Sequence, residues 1–238
     1  MTNVTADPAK VRRRSQLYRW HENHDAAFIK RADATYVATY GDSRNETAAA
    51  VRLGICDLSL LPRQGITGAD STGWLRVHGY AIPQRPNTAV KQTENDLLVR
   101  LSAEEFLCLR LSDLEDGPPT GQPAWPVDGD GDAFPLPRAD SHCLFAVTGD
   151  AAPAMFSKVC AVDLRSHKFA NGCVAQTSVA RINAIVIRHD LQQTQGFFVL
   201  TATSAAEYLW DCLLDAINEY EGQPVGIDAL QAISNTTT

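Results

Sequence analysis

Residues 113–140, DLEDGPPTGQPAWPVDGDGDAFPLPRAD, constrain the fold of this 238-residue chain more than any other stretch. Proline removes a backbone donor, and glycine and aspartate favour turns, so the run suits neither a helix nor a sheet interior. It reads as a linker or long surface loop. The chain is thereby divided into a first part, residues 1–112, and a second part, residues 141–238, each of about 100 residues and able to bury a core.

The two parts read alike. GITGAD at 65–70 and VTGDAA at 147–152 each place a β-branched residue before Thr-Gly, with an aspartate just after and a run that can wind into a helix. Asp70 or Ser71 can cap a helix carrying Trp74, Leu75 and His78, and Asp150 can cap one carrying Met155, Phe156 and Val159. A hairpin follows in each part: Leu98 to Leu101 with Phe106 to Leu111, then Ile182 to Ile187 with Phe197 to Thr201. The expectation is an α+β protein of two similar halves related by a degenerate duplication.

Around these units, residues 22–30 read as a short helix, RADATYVATYG as a strand and Glu46 to Leu53 as a helix. CDLSLLPRQGITG reads as a strand pair broken at Pro62. Ser204 and Glu207 form a capping box ahead of the apolar stripe Leu209, Leu213, Ala216, Ile217 and Tyr220.

Composition excludes several functions. A net charge of -7 opposes nucleic-acid binding, and the one basic cluster, Lys10 with Arg12, Arg13 and Arg14, reads as a solvated tail. No run of 18 apolar residues and no signal-peptide core occur, so the expectation is a cytoplasmic protein without membrane association. The six cysteines show no Cys-x-x-Cys pair and read as isolated thiols. His21 and His24 could share a helical face but lack a completing ligand set. Asp128, Asp130 and Asp132 alternate as in a calcium loop, yet Ala133 and Ala139 stand where such a loop needs Gly and Glu. Gly-x-Ser-x-Gly, Gly-x-Gly-x-x-Gly and phosphate-loop motifs are missing from the sequence.

The run LYRWHENHDAAFIKRADATYVATYGDSRNETAAAVRLGICDLSLLPRQGITGAD resembles the opening of the aminomethyltransferase (glycine cleavage T-protein) superfamily. The matching positions are Leu17, His21 or His24, Phe28, Tyr40, Gly41, Glu46, Ala50, Val51, Arg52, Asp57, Leu58, Ser59 and Gly68. FANGCVAQTSVARINAIVIRHD and FFVLTATSAAEYLWDCLLDAINE are similar to the gamma subunit family of heterotetrameric sarcosine oxidase, through Gln176, Thr177, Ala180, Arg181, Ser204, Ala206, Tyr208, Leu209 and Trp210.

The resemblance implies a pseudo-symmetric fold around a central cavity, in a subunit without its own catalytic centre. Its alpha, beta and delta partners would carry FAD, FMN, NAD and zinc and oxidise an N-methyl amine, with tetrahydrofolate accepting the one-carbon unit. The aspartate that meets pterin and amine in the folate enzymes corresponds to Asp96, with Arg100 and Arg181 as further folate candidates. A carboxylate there could hold the amine and stabilise developing positive charge. The alternative is a stand-alone tetrahydrofolate-dependent one-carbon enzyme using Asp96. The folate enzymes' Gly-Tyr-Thr-Gly-Glu-x-Gly-Phe-Glu hairpin is reduced here to Gly196 and Phe197, with Phe198 in place of the following acid. Their C-terminal barrel has no counterpart in this sequence. Gly172, Cys173 and Gln176 share positions with the Lys-Gly-Cys-Tyr-x-Gly-Gln-Glu motif of folate-dependent iron-sulfur maintenance proteins, and Cys173 otherwise reads as a packed or exposed thiol.

Overall fold

The computed structural model describes residues 6–31, 33–92, 96–111 and 131–235. Two β-sheets pack face to face. The five-stranded sheet runs β5 (Thr88–Lys91), β6 (Leu97–Arg100), β7 (Glu105–Leu109), β4 (Arg63–Thr67) and β8 (Phe134–Pro137). The six-stranded sheet runs β10 (Val174–Val179), β11 (Ile182–Arg188), β12 (Gly196–Ala202), β9 (His142–Thr148), β3 (Gly54–Asp57) and β13 (Gln223–Pro224). A separate hairpin pairs β1 (Ala27–Arg31) with β2 (Ala34–Thr39).

Period-2 alternation sorts the side chains into layers. Leu97, Val99, Leu107, Leu109, Leu144, Ala146, Phe198 and Leu200 meet in one core between the sheets. Their neighbours turn outwards: Phe145, Val147, Phe197 and Val199 pack beneath α4 (Ala152–Val159) and α5 (Ala206–Asn218). Leu98, Phe106 and Cys108 pack beneath α3 (Ser71–Val77). Helices α2 (Ser43–Leu53) and α6 (Ile227–Asn235) close the side of the central core. Covering both faces explains the near-continuous apolar runs of the central strands.

The two sheets share one order of elements. In the five-stranded sheet β4 leads through α3 to β5, β6 and β7, with β7 returning beside β4; in the six-stranded sheet β9 leads through α4 to β10, β11 and β12, with β12 returning beside β9. Both Thr-Gly turns have a physical cause. Gly68 has φ +117° and Gly149 φ +107°, and a Cβ on the first would collide with the Asp132 carbonyl and on the second with the Arg52 carbonyl.

Several local expectations are corrected. The helix lies earlier than residues 22–30, as α1 (Tyr18–Glu22), and Ala27–Arg31 is a strand. Asp25, with φ 56°, ends the turn, and Phe28 and Ile29 pair with Val37 and Tyr36. Pairing outweighs the weak local helical preference. Asp70 makes no side-chain cap; its Oδ2 accepts from the Asp132 amide at 3.0 Å. Ala151, not Asp150, sits at the start of α4. Ser204 lies in a 3-10 turn, so no capping box forms and Ala205 precedes α5.

The broken pair at Pro62 separates completely: β3 joins the six-stranded sheet and β4 the five-stranded one. Strand β8, inside residues 113–140, is an edge strand bonded to β4 alone, where Pro135 and Pro137 are tolerated. Residues 112–130, with Asp128 and Asp130 of the calcium-like run, lie outside the described residues, as does Asn95. Among the described residues no helix is long and apolar enough to cross a membrane.

Candidate functional site

A cavity of about 390 Å³ opens where the two sheets and α6 meet. Its walls are Ala89 and Lys91 of β5, Leu97 of β6, Leu111, the Asn171–Gly172 turn, Arg188 at the end of β11 with residues 189–192 after it, Phe198 of β12 and Leu230, Gln231, Ser234 and Asn235 of α6. The volume lies within the range of small-molecule sites. Contacts between segments distant in sequence build it: the Ala89 amide donates to the Gly172 carbonyl at 2.8 Å, and Gln192 Nε2 donates to the Ser234 carbonyl at 3.1 Å.

The charges in these walls are unequally matched. The Arg188 guanidinium donates from Nε to Asp190 Oδ1 at 2.9 Å and from Nη2 to Asp190 Oδ2 at 3.1 Å, so this pair neutralises itself. Burial, with Lys91 nearby, depresses the His189 pKa to about 4, which leaves the imidazole neutral at pH 7. The Lys91 ammonium has no hydrogen-bond or ion-pair partner among the described residues, while its backbone pairs with Leu97 in the β5–β6 ladder.

The three sequence candidates occupy separate places. Asp96 is 8% exposed and precedes β6; its carbonyl accepts from the Gln92 amide at 2.7 Å and its Oδ2 lies 3.6 Å from Arg110 Nε. It is adjacent to Leu97, which lines the cavity, and it acts electrostatically on Tyr80 and Cys108, whose packing is on the outer, α3 side. Burial pushes the Cys108 thiol up to about 12, with Asp96 adding to the effect. Arg100 donates from Nε to the Ser102 carbonyl at 3.1 Å and from Nη2 to the Ala103 carbonyl at 2.9 Å, with its guanidinium 5.3 Å from the Phe106 ring centroid. Arg181, at φ 67°, is exposed on the β10–β11 turn. None of the three is among the described residues lining the cavity. Cys173 is half-buried, and its amide donates to the Ala170 carbonyl at 3.0 Å.

A second polar cluster is buried. His21 Nε2 lies 3.0 Å from Asp57 Oδ2, and Tyr40 Oη lies 2.7 Å from His21 Nδ1. With Asp57 ionised, the Nε2 proton faces the carboxylate, and the Tyr40 hydroxyl holds the ring from the Nδ1 side. Ser15 Oγ also donates to Asp57 Oδ2, and the Ser59 amide donates to Oδ1 at 2.9 Å. Burial opposes ionisation of Asp57, but these donors together hold its pKa below the ordinary carboxylate value. His24 turns away, stacked on Trp20 with ring centroids 3.8 Å apart. The two imidazoles therefore do not share a ligand position. The cluster ties the N-terminal arm to β3 rather than opening a reactive surface.

Sequence reading named Asp57 and His21 individually but not their contact, and it missed Lys91 and His189. The apolar alternation around Leu97 could have placed Asp96 on the opposite face.

With this geometry, comparison with known proteins gives the fold and the relatives that the chain resembles. Residues 131–234 match the family described as GCVT N-terminal domain. The chain superposes on the glycine cleavage system aminomethyltransferase T from Bartonella henselae with a TM-score of 0.68 at 15% identity, covering 93% of this chain and 62% of that one. It superposes on heterotetrameric sarcosine oxidase from Corynebacterium sp. U-96, in complex with pyrrole 2-carboxylate, with a TM-score of 0.53 at 16% identity, covering 82% and 94% of the two chains. The fold is aminomethyltransferase-like. Sarcosine oxidase subunit gamma from Corynebacterium sp. (strain P-1) is 22% identical over 205 residues, 84% of this chain and 96% of that protein. The chain is a homologue of that gamma subunit.

Proposed function

We propose that this chain is a gamma-type, non-catalytic subunit of a heteromeric sarcosine oxidase-like oxidoreductase acting on N-methyl amines. The observation carrying the proposal is similarity over 96% of a sarcosine oxidase gamma subunit. Partner chains of alpha, beta and delta type hold FAD, FMN, NAD and zinc and perform the oxidation, and the one-carbon unit passes to tetrahydrofolate. The complex works in the cytoplasm.

The arrangement of charge supports a role without a catalytic centre here. A reacting secondary amine calls for an available carboxylate, yet Asp190 is engaged by Arg188 and Asp96 lies beside Arg110, away from the cavity lining. Asp96, Arg100 and Arg181 lie outside the lining of the cavity, and no reaction step is assigned to them. The shared order of elements in the two sheets supports an origin by internal duplication.

Assaying the purified chain for N-demethylation, and for one-carbon transfer to tetrahydrofolate, tests its catalytic part. The expected result is no turnover by the isolated chain. Turnover abolished by Asp96→Ala would instead establish a stand-alone one-carbon enzyme.

A further inference from the structure

We propose that the cavity between the sheets is a binding site for a small monocarboxylate with a flat apolar body, its carboxylate held by Lys91. Two features of the walls lead there. Phe198, Leu97, Leu111, Leu191 and Leu230 give the cavity, about 390 Å³ in volume, apolar walls against which a flat ring system can pack. The polar groups add up to one positive charge, because Arg188 and Asp190 cancel, the imidazole of His189 is neutral, and Lys91 alone of the cavity's charged groups lacks a described partner.

Asn171 supplies a second donor. Its Oδ1 accepts from the Asp190 amide at 3.1 Å, which fixes the side chain and leaves its amide NH₂ without a described partner. A carboxylate can accept from the Lys91 ammonium and this NH₂ together, and charge-assisted bonds of this kind are about twice as strong as neutral ones. A cationic amine of the same shape meets Lys91 as a like charge and is disfavoured. The site thus selects acids over amines. This inference stands apart from the assembly reading, because it concerns walls contributed wholly by this chain.

Calorimetric titration of the full-length protein with 2-naphthoate, its neutral amide 2-naphthamide and its cationic analogue 2-naphthylmethylamine tests it. The expected order is naphthoate tightest, naphthamide weaker and the amine undetectable. Lys91→Gln is expected to weaken naphthoate about tenfold, allowing for the exposure of Lys91, and to leave naphthamide unchanged. Lys91 is at the surface, so the variant folds. Leu230→Trp, which fills the apolar part, should abolish binding of both ligands, with circular dichroism confirming the fold. Equal affinity for acid and amide, no effect of Lys91→Gln, or binding of tetrahydrofolate without binding of naphthoate would overturn the proposal.

Discussion

His21 Nε2 stands 3.0 Å from Asp57 Oδ2, with both side chains almost wholly removed from solvent. This contact joins the N-terminal arm to the end of β3. Removing one member of a buried pair leaves the other charge or dipole uncompensated, so Asp57→Ala should cost about 3–5 kcal/mol in urea unfolding. Because the folded Asp57 pKa is lowered, its contribution is full above the unfolded value of about 3.9 and disappears as pH falls through the folded value. Asp57→Asn should remove that loss, visible as a flatter decline in the urea midpoint below about pH 4.

His189 titrates in a different window. Its folded pKa of about 4 lies below the unfolded value of about 6.5, so its neutral form contributes stability fully above that value. The contribution, about 3 kcal/mol at most, is lost as pH falls from about 6.5 through about 4. His189→Gln should flatten the stability profile in this range and leave the lower window of Asp57 in place.

The Thr-Gly turns predict a contrast among glycines. Gly149→Ala and Gly68→Ala combine positive φ with collision against backbone, and each should destabilise by about 2–4 kcal/mol. Gly73, in α3, has open space where its Cβ would stand, so Gly73→Ala should be neutral or stabilise by up to about 1 kcal/mol. Thermal unfolding of the three variants compares them directly.

Arg63 is buried to 1% exposure and serves as a clamp. Its guanidinium donates to the carbonyls of Ser59 at 3.0 Å, Leu61 at 2.9 Å and Ala139 at 2.8 Å, and also to that of His142. These carbonyls lie in the β3–β4 and β8–β9 connections and, for His142, at the first residue of β9. Arg63→Met should cost about 3–5 kcal/mol by leaving them unbonded, and Arg63→Lys should recover only part, because three donors cannot replace the planar fork. Urea unfolding checks both.

The parts of the fold readable in sequence were those set by local pattern. Leu144 to Val147 and Phe197 to Leu200 alternate between two apolar environments, and Gly68 and Gly149 mark turns that need positive φ. Helix starts were less readable. The Ser204 and Glu207 spacing is right for a cap, but a 3-10 turn displaces the start of α5. The departure of β3 from β4 into the opposite sheet depends on long-range pairing with β9, which local propensity does not encode.

The candidate site was harder to read for the same reason. Lys91 and His189 carry no motif and come together only because β5 bridges to Cys173, whose segment bonds in turn to Arg188 at the end of β11. Asp96 was named by resemblance; it precedes β6 beside inward-facing Leu97, with its carboxylate 3.6 Å from Arg110 Nε. His21 and Asp57 stood in one resembling run, 36 residues apart, with no local signal of their contact.

Tagging the chain in its own cells, isolating it under mild conditions and measuring the stoichiometry of what accompanies it tests the subunit assignment most directly. Recovery of flavin-bearing partner chains in fixed ratio, with N-methyl amine oxidation in the isolated assembly, is the predicted result. Recovery of the chain alone, with turnover that depends on Asp96, would contradict it.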